Sequence, residues 1–183
     1  MDKSRLLEYL KALDETLSEK TELVVYGSAA FILLDEDSRT SLDIDVAAPY
    51  SRVNYPAFCR AAESSGLPVN PPEDTLRDHI EWIPPLRLCL KKPSPDDEVV
   101  LWRGKRLTVK TVSAADLIAS KLIRYDPIDQ ADIQYVLRMS RISFEHIQAA
   151  ASALPAPFNT NPLVLENLEN LKNDLRMWME KKP

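Results

Sequence analysis

Leucines recur at helical spacing near the start of the chain, and the period of the apolar pattern changes soon afterwards. Positions three and four apart share one helical face, so this run predicts an amphipathic first helix with Ser4 as its N-cap. The run comprises Leu6, Leu7, Leu10, Leu13 and Leu17. Apolar stretches over 23–26 and 42–47 are typical of strands, and 28–34 between them predicts a short buried helix.

Apolar periodicity also divides the later part of the chain. Residues 55–65 predict a helix that Gly66 closes, because glycine readily adopts the left-handed conformation found just after a helix. From 75 to 109, short β-like stretches broken by prolines predict three or four strands of a mixed sheet. The last third has helical spacing. The predicted helices there cover 114–125, 128–139, 144–153 and 162–180.

These elements describe an α/β (α+β) protein in which a mixed sheet is flanked by helices. We predict a core domain over residues 1–111 and a helical C-terminal region over 112–183 that packs on it. A chain of 183 residues suits one domain with a small appendage. Hydrophobic residues make up 45% and charged residues 28% of it, which is typical of a soluble globular protein.

Charge, cysteine content and hydropathy exclude several classes of protein. A net charge of −5 argues against tight non-specific binding of nucleic acid. Cys59 and Cys89 stand alone, without the spacing of a zinc site or a disulfide framework. The longest run without charge, residues 23–34, is shorter than the ~18 residues that a membrane helix needs. We therefore predict a cytoplasmic protein with no membrane partner.

Two aspartates share one face of the second predicted strand. In the stretch LDIDVA, Asp43 and Asp45 alternate with apolar residues, so their carboxylates point to the same side, about 7 Å apart at Cβ. Carboxylates at this separation converge on one Mg²⁺ ion or bracket a pair of ions. The alternative is that both aspartates simply face water on an edge strand.

A glycine lies where the first strand turns into the short helix. The chain has only three glycines, which indicates that Gly27 marks a place where a side chain would block an approaching group. Backbone N–H groups and the helix dipole at such a corner favour a phosphate, and Ser28 adds a hydroxyl donor. Alternatively, Ser28 only caps the helix. We expect this anion-binding corner and the two aspartates to lie on neighbouring strands.

The combination of Gly27 and Ser28 with Asp43 and Asp45 resembles the nucleotidyltransferase superfamily of the DNA polymerase β type. Members share a GS turn, a DxD strand and often a third acid on a later strand. Fourteen residues separate Ser28 from Asp43, a few more than is usual there, so 35–40 is expected to form a longer loop. The resemblance implies Mg²⁺ held by Asp43 and Asp45, and an NTP bound at Gly27 and Ser28.

Downstream residues resemble the AbiEii-like branch of that superfamily, the abortive-infection toxins and their relatives. Asp116 and Lys121 fit its DxxxxK motif, and the stretch RYDPIDQAD over 124–132 is similar to the Arg…Asp motif that follows. The resemblance implies that Lys121 and Arg124 bind the nucleotide. It also implies that Asp129 acts in catalysis or orients the lysine. The alternative is that Asp129 is only a polar residue at the start of the next helix.

Lys121 is informative without the family as well. It lies three and four residues after Ile118 and Leu117, on the apolar stripe of its helix, where a charged group is costly unless it has a partner. Its ammonium therefore either reaches solvent or meets an acid such as Asp129 or a nucleotide phosphate. The resemblance favours the second outcome.

The third acid is predicted by strand alternation. In HIEWI, Glu81 shares a face with His79, and it would point at the aspartates if this strand lies beside 42–47. Asp78 is the competing candidate, and an exposed charge on an edge strand is the structural alternative. Since His79 and His146 are the only histidines, catalytic triads built on histidine are not expected.

The resemblance thus implies a Mg²⁺-dependent nucleotidyltransferase that moves an NMP from an NTP to an RNA or protein acceptor, in a toxin-antitoxin or phage-defence system. A tRNA or a partner protein, a cognate toxin or antitoxin, is the expected partner. Asp45 or Glu81 would take the proton of the acceptor. The alternative is a catalytically silent antitoxin or regulatory module of the same fold that binds a nucleotide or a partner. A third outcome is that Asp43 and Asp45 bind no metal.

Overall fold

The computed structural model describes residues 1–36, 39–72 and 76–180. Within these ranges the chain forms five β-strands and seven α-helices. The strands are β1 (Thr21–Tyr26), β2 (Asp43–Ala47), β3 (His79–Ile83), β4 (Val99–Arg103) and β5 (Leu107–Thr111). The helices are α1 (Lys3–Thr16), α2 (Gly27–Leu33), α3 (Tyr55–Ser64), α4 (Ala114–Lys121), α5 (Pro127–Met139), α6 (Phe144–Ser152) and α7 (Pro162–Glu180).

The strands form one mixed sheet in the order β3-β2-β1-β5-β4. β1 runs antiparallel to β2 and parallel to β5, while β2 runs parallel to β3 and β4 runs antiparallel to β5. This confirms the predicted fold class, a mixed α/β protein with helices in the C-terminal half. The strands expected between 75 and 109 are β3, β4 and β5; residue 75 itself and residues 37 and 38 of the expected long loop lie outside the described residues.

The chain divides into two compact units. The first comprises residues 1–88 and 93–112 and holds the whole sheet with α1, α2 and α3. The second comprises residues 89–92 and 113–183 and holds α4 to α7. Within the second unit, Lys91 Nζ lies 3.4 Å from Asp116 Oδ1 in α4.

α1 packs its leucine stripe into the core of the first unit. Leu6, Leu10 and Leu13 are each 2% exposed or less, as the helical spacing predicted. The N-cap is Asp2 and not Ser4: the helix begins at Lys3, and the Asp2 carboxylate accepts a 2.9 Å hydrogen bond from the backbone N–H of Arg5. Ser4 therefore lies inside the first turn.

In the second unit, Ser113 caps α4, accepting a 3.1 Å hydrogen bond from the backbone N–H of Asp116. The helix ends at Lys121, earlier than expected, because Tyr125 adopts a left-handed conformation with φ of 55° before α5 begins. In α7 the buried face holds Val164, Leu168 and Leu171, whereas Leu163 is exposed. None of the described helices is long and apolar enough to cross a membrane.

Candidate metal centre

The corner after β1 is closed by a carboxylate from β2. Gly27 has a φ of +62°, and a Cβ atom placed on it would lie 2.1 Å from Oδ2 of Asp45. Tyr26 pairs with Asp45 across the antiparallel β1–β2 ladder, which brings that side chain to the corner. The group that approaches the backbone at Gly27 is thus the Asp45 carboxylate, and only glycine leaves room for it.

Substituting Gly27→Ala is expected to lower the free energy of unfolding by about 1–3 kcal/mol. The left-handed backbone disfavours any residue with a Cβ atom, and that atom would displace the Asp45 carboxylate. Urea unfolding followed by circular dichroism measures the loss. The double variant Gly27→Ala with Asp45→Ala should recover the part due to the clash, and an unchanged midpoint in the single variant would contradict the close approach.

β2 and β3 together present a polar face. Their parallel register pairs Asp43 with His79 and Asp45 with Glu81. Because residues two apart on a strand point to the same side, all four side chains lie on one face of the sheet. The residues that alternate with them point the other way, and three of these are buried: Ile44, Val46 and Ile80. The predicted third acid, Glu81, therefore lies on the strand next to both aspartates.

Three of these side chains bring ligand atoms close together. Asp43, His79 and Glu81 each offer one atom, and these atoms lie within 4.8 Å of one another. His79 Nε2 is 3.9 Å from Glu81 Oε1. Two atoms that each lie about 2.1 Å from one ion are at most about 4.2 Å apart. The spacing of the histidine and the glutamate therefore suits a shared ion, while Asp45 lies at the Gly27 corner.

Each of the three side chains is held from outside the group. His79 Nδ1 lies 2.9 Å from the backbone oxygen of Arg77. Since a carbonyl only accepts hydrogen bonds, Nδ1 is the donor, and Nε2 is the ring nitrogen that a metal ion can use. Ser41 Oγ donates to Asp43 Oδ1 at 2.6 Å, and Arg87 Nη2 lies 3.8 Å from Glu81 Oε2. Outer partners of this kind orient the ligands of metal sites.

Asp78, the competing candidate for the third acid, contacts side chains of α1 instead. Its Oδ2 accepts a 3.1 Å hydrogen bond from the hydroxyl of Tyr9 and lies 3.8 Å from Arg5 Nε, both on α1. At the corner, Ser28 Oγ accepts a 2.9 Å hydrogen bond from Arg39 Nη2. Sequence reasoning passed over Arg39, because nothing local places a loop arginine beside the first turn of α2.

The residues on this face fit a divalent cation. Asp43 and Glu81 supply oxygen ligands, and His79 supplies a nitrogen ligand whose tautomer is fixed. No protein-family model matches the chain, and no match was found among curated proteins or solved structures.

The predicted nucleotide-binding cations lie together in the second unit. Lys121 Nζ donates to Asp129 Oδ1 at 2.9 Å and to Asp132 Oδ2 at 2.7 Å. Arg124 donates through Nε and Nη2 to both oxygens of Asp129, each at 2.8 Å. Of the expected alternatives, Lys121 thus meets the acid Asp129, and a second acid besides.

Asp129 is an anion in this arrangement. Burial acts to raise the pKa of its carboxyl, but the hydrogen bonds from Arg124 and the charge of Lys121 outweigh burial, so the pKa lies below its ordinary value. The Lys121 side chain is 8% exposed, and those of Asp129 and Asp132 are 1% exposed. The cluster is therefore buried and contains both signs of charge.

Proposed function

We propose that the protein is a divalent-metal-dependent nucleotidyltransferase that moves an NMP from an NTP to a hydroxyl of an RNA or protein acceptor. The observation that carries the proposal is the convergence of Asp43, His79 and Glu81 beside the corner formed by Gly27 and Asp45. Carboxylates suit Mg²⁺ that is shared with phosphates, and the order of strand, glycine corner and acidic strand supports the resemblance to nucleotidyltransferases.

The polar face needs a cation before it can bind a triphosphate. Asp43, Asp45 and Glu81 place three carboxylates on it, with Arg87 Nη2 3.8 Å from Glu81 Oε2 and Arg39 bonded to Ser28 at the corner. A triphosphate approaching this face meets charge of its own sign, which repels it. A bound divalent ion reverses the local sign. The affinity for an NTP should therefore depend on metal.

The residues can be given roles on this basis. Asp43, Glu81 and His79 would hold the ion, which neutralises triphosphate charge and lowers the pKa of the acceptor hydroxyl when bound. The hydroxyl oxygen forms a bond to the α-phosphorus as the bond to the pyrophosphate oxygen breaks, and the proton passes to a carboxylate. Asp45, which lies outside the three-ligand group, is the candidate for the carboxylate that accepts this proton.

Phosphate positioning is assigned to the corner after β1. At the corner, Ser28 and the guanidinium of Arg39 offer donors to phosphate oxygens. In the second unit, a nucleotide role for Lys121 and Arg124 stays a prediction from the resemblance. Each of them donates to Asp129, so phosphate binding there would require those hydrogen bonds to be exchanged for bonds to the nucleotide.

Metal-dependent nucleotide binding is the first expected result. ATP, GTP, CTP or UTP alone should leave the melting temperature unchanged, whereas the preferred NTP with Mg²⁺ should raise stability by about 2.7 kcal/mol at a hundred times its Kd. Asp43→Asn removes one ligand charge at constant shape and should abolish the shift. Asp96→Asn, the same change on an exposed aspartate, is the matched control. Equal stabilisation with and without Mg²⁺ would contradict the proposed site.

Transfer is tested with isotopically labelled nucleotide. An NTP labelled at the α-phosphate, incubated with total tRNA or cell lysate, should leave covalent label on RNA or protein, while a γ-label should leave with pyrophosphate. Label from the γ-position would indicate phosphoryl transfer and contradict the reaction. Metal-dependent binding without any labelling would instead identify the silent nucleotide-binding module, which the engaged Lys121 and Arg124 favour.

A further inference from the structure

We infer that the face of β2 and β3 binds a divalent transition-metal ion, in the series from Mn²⁺ to Zn²⁺, with His79 as a ligand beside Asp43 and Glu81. The inference rests on the proposed function in taking the same face as the metal site. It adds a nitrogen ligand and the class of metal, and it follows from the donor atoms and from how each is held.

The donor set favours a transition metal over Mg²⁺. Mg²⁺ is bound by oxygen ligands and keeps much of its water, so an imidazole contributes little to its binding. Imidazole nitrogen suits Zn²⁺, Fe²⁺ and Ni²⁺, while carboxylates also accept Mn²⁺. A set of two carboxylates and one imidazole therefore favours transition metals, and His79 is the residue that creates the difference.

The position of His79 is that of a ligand. Its Nδ1 donates to the backbone oxygen of Arg77 at 2.9 Å, which leaves Nε2 as the acceptor nitrogen, 3.9 Å from Glu81 Oε1. Metal-binding histidines commonly donate their second ring nitrogen to a backbone carbonyl. The side chains of His79 and Glu81 are 13% and 35% exposed, so an ion can reach the group from solvent.

The other two ligands are also positioned before any ion arrives. Ser41 Oγ donates to Asp43 Oδ1, and Arg87 lies on the Oε2 side of Glu81, which leaves Oε1 towards His79. Holding side chains in place lowers the entropy lost on binding. Three protein ligands leave further coordination positions for water or a phosphate oxygen, which is the pattern of reactive rather than purely structural centres.

Metal binding alone tests the inference. Isothermal titration with Mn²⁺, Zn²⁺ and Mg²⁺, without nucleotide, should show tighter binding of the two transition metals in the wild type. His79→Gln should weaken Mn²⁺ and Zn²⁺ binding by about 100-fold or more, since loss of a mere outer partner costs about 10–100-fold. Its effect on Mg²⁺ should be several times smaller. The Mn²⁺ spectrum in electron paramagnetic resonance gives an independent readout of free and bound ion.

His146→Gln is the matched control, because His146 is the other histidine of the chain and lies exposed on α6 in the second unit. It should leave all three affinities unchanged. Circular dichroism and the melting temperature establish that His79→Gln is folded. Should it not fold, Glu81→Gln tests the same group, and weakened binding of Mn²⁺ and Zn²⁺ is then expected.

Unchanged Mn²⁺ and Zn²⁺ affinity in a folded His79→Gln protein would overturn the inference, as would tighter binding of Mg²⁺ than of Mn²⁺ in the wild type. These outcomes differ from failure of the proposed function. Transition-metal binding that needs His79 but is never accompanied by nucleotidyl transfer removes only the proposed function. Mg²⁺-dependent transfer that is indifferent to His79→Gln removes only the transition-metal site.

Discussion

Replacing Asp14 with alanine is expected to lower the free energy of unfolding by about 3–5 kcal/mol, because hydrogen bonds to a charged group are each worth about 1.5–3 kcal/mol and solvent compensates only in part. The Asp14 carboxylate, on α1, accepts hydrogen bonds from the backbone N–H groups of Lys105, Arg106 and Leu107 at 2.9, 2.7 and 2.7 Å. Lys105 and Arg106 lie in the turn between β4 and β5, and Leu107 begins β5. One carboxylate thus joins the first helix to the hairpin.

Gly104 tests the same contact from the other side. A Cβ atom on it would lie 2.4 Å from Cγ and Oδ1 of Asp14, so Gly104→Ala should displace the carboxylate and destabilise the protein. In the Asp14→Ala background the same substitution should cost little more, since the clash is gone. Urea unfolding measures all three variants. Glu15→Ala, an exposed neighbour on α1, is the control and should stay within about 0.5 kcal/mol of the wild type.

Lowering the pH should remove the stabilisation that the Asp14 carboxylate provides. Burial acts to raise the pKa of Asp14, but the backbone N–H groups of Leu107, Lys105 and Arg106 outweigh it, and the pKa lies below its ordinary value. An aspartate in the unfolded chain has a pKa of about 3.9, which is higher than the pKa of Asp14 in the folded protein. As the pH falls, the unfolded chain therefore takes up the proton first. The stabilisation is complete above that pH and is lost as the pH falls through the folded pKa.

Asp14→Asn should therefore show a smaller loss of stability below about pH 4 than the wild type does, measured as urea midpoints across the acid range. A loss of less than about 1 kcal/mol in Asp14→Ala at neutral pH, or identical acid dependence in Asp14→Asn, would show that water replaces the carboxylate at this turn. The hairpin would then be held by its own strands alone.

The sequence could predict which side chains share a face, since that follows from local strand alternation. The stretch LDIDVA sets Asp43 and Asp45 on one side whatever surrounds it, and HIEWI does the same for His79 and Glu81. Whether the two strands are neighbours is a long-range property, and the prediction for Glu81 was conditional on it. The same alternation sets His79 beside Glu81, but a single histidine on a strand carries no metal-site spacing in the sequence.

Contacts between distant segments could not be predicted. The glycine corner was identified correctly as a place of close approach, but the approaching group is Asp45 and comes from the next strand. Its identity depends on the β1–β2 register, which no local pattern fixes. The hydrogen bonds from the hairpin to Asp14 could not be predicted for the same reason. Their donors are three backbone N–H groups, which every residue except proline has.

Replacing Lys121 with alanine is expected to cost about 3–5 kcal/mol, because removing one partner of a buried ion pair leaves buried charge behind. Asp129 and Asp132 would both lose the ammonium that they face at 2.9 and 2.7 Å. Urea unfolding by circular dichroism measures the loss. Lys11→Ala, on the exposed side of α1, is the matched control and should change stability by less than about 0.5 kcal/mol.

Lys121→Met separates charge from packing, since methionine keeps much of the apolar stem. Adding Asp132→Asn to Lys121→Met should regain stability, because a well-packed neutral pair replaces a buried ion pair at little cost. A Lys121→Ala protein that unfolds like the wild type would contradict the pairing. The double-variant coupling also bears on function: a large coupling energy means that a phosphate must displace strongly held carboxylates, whereas a small one leaves the lysine able to exchange them for a nucleotide.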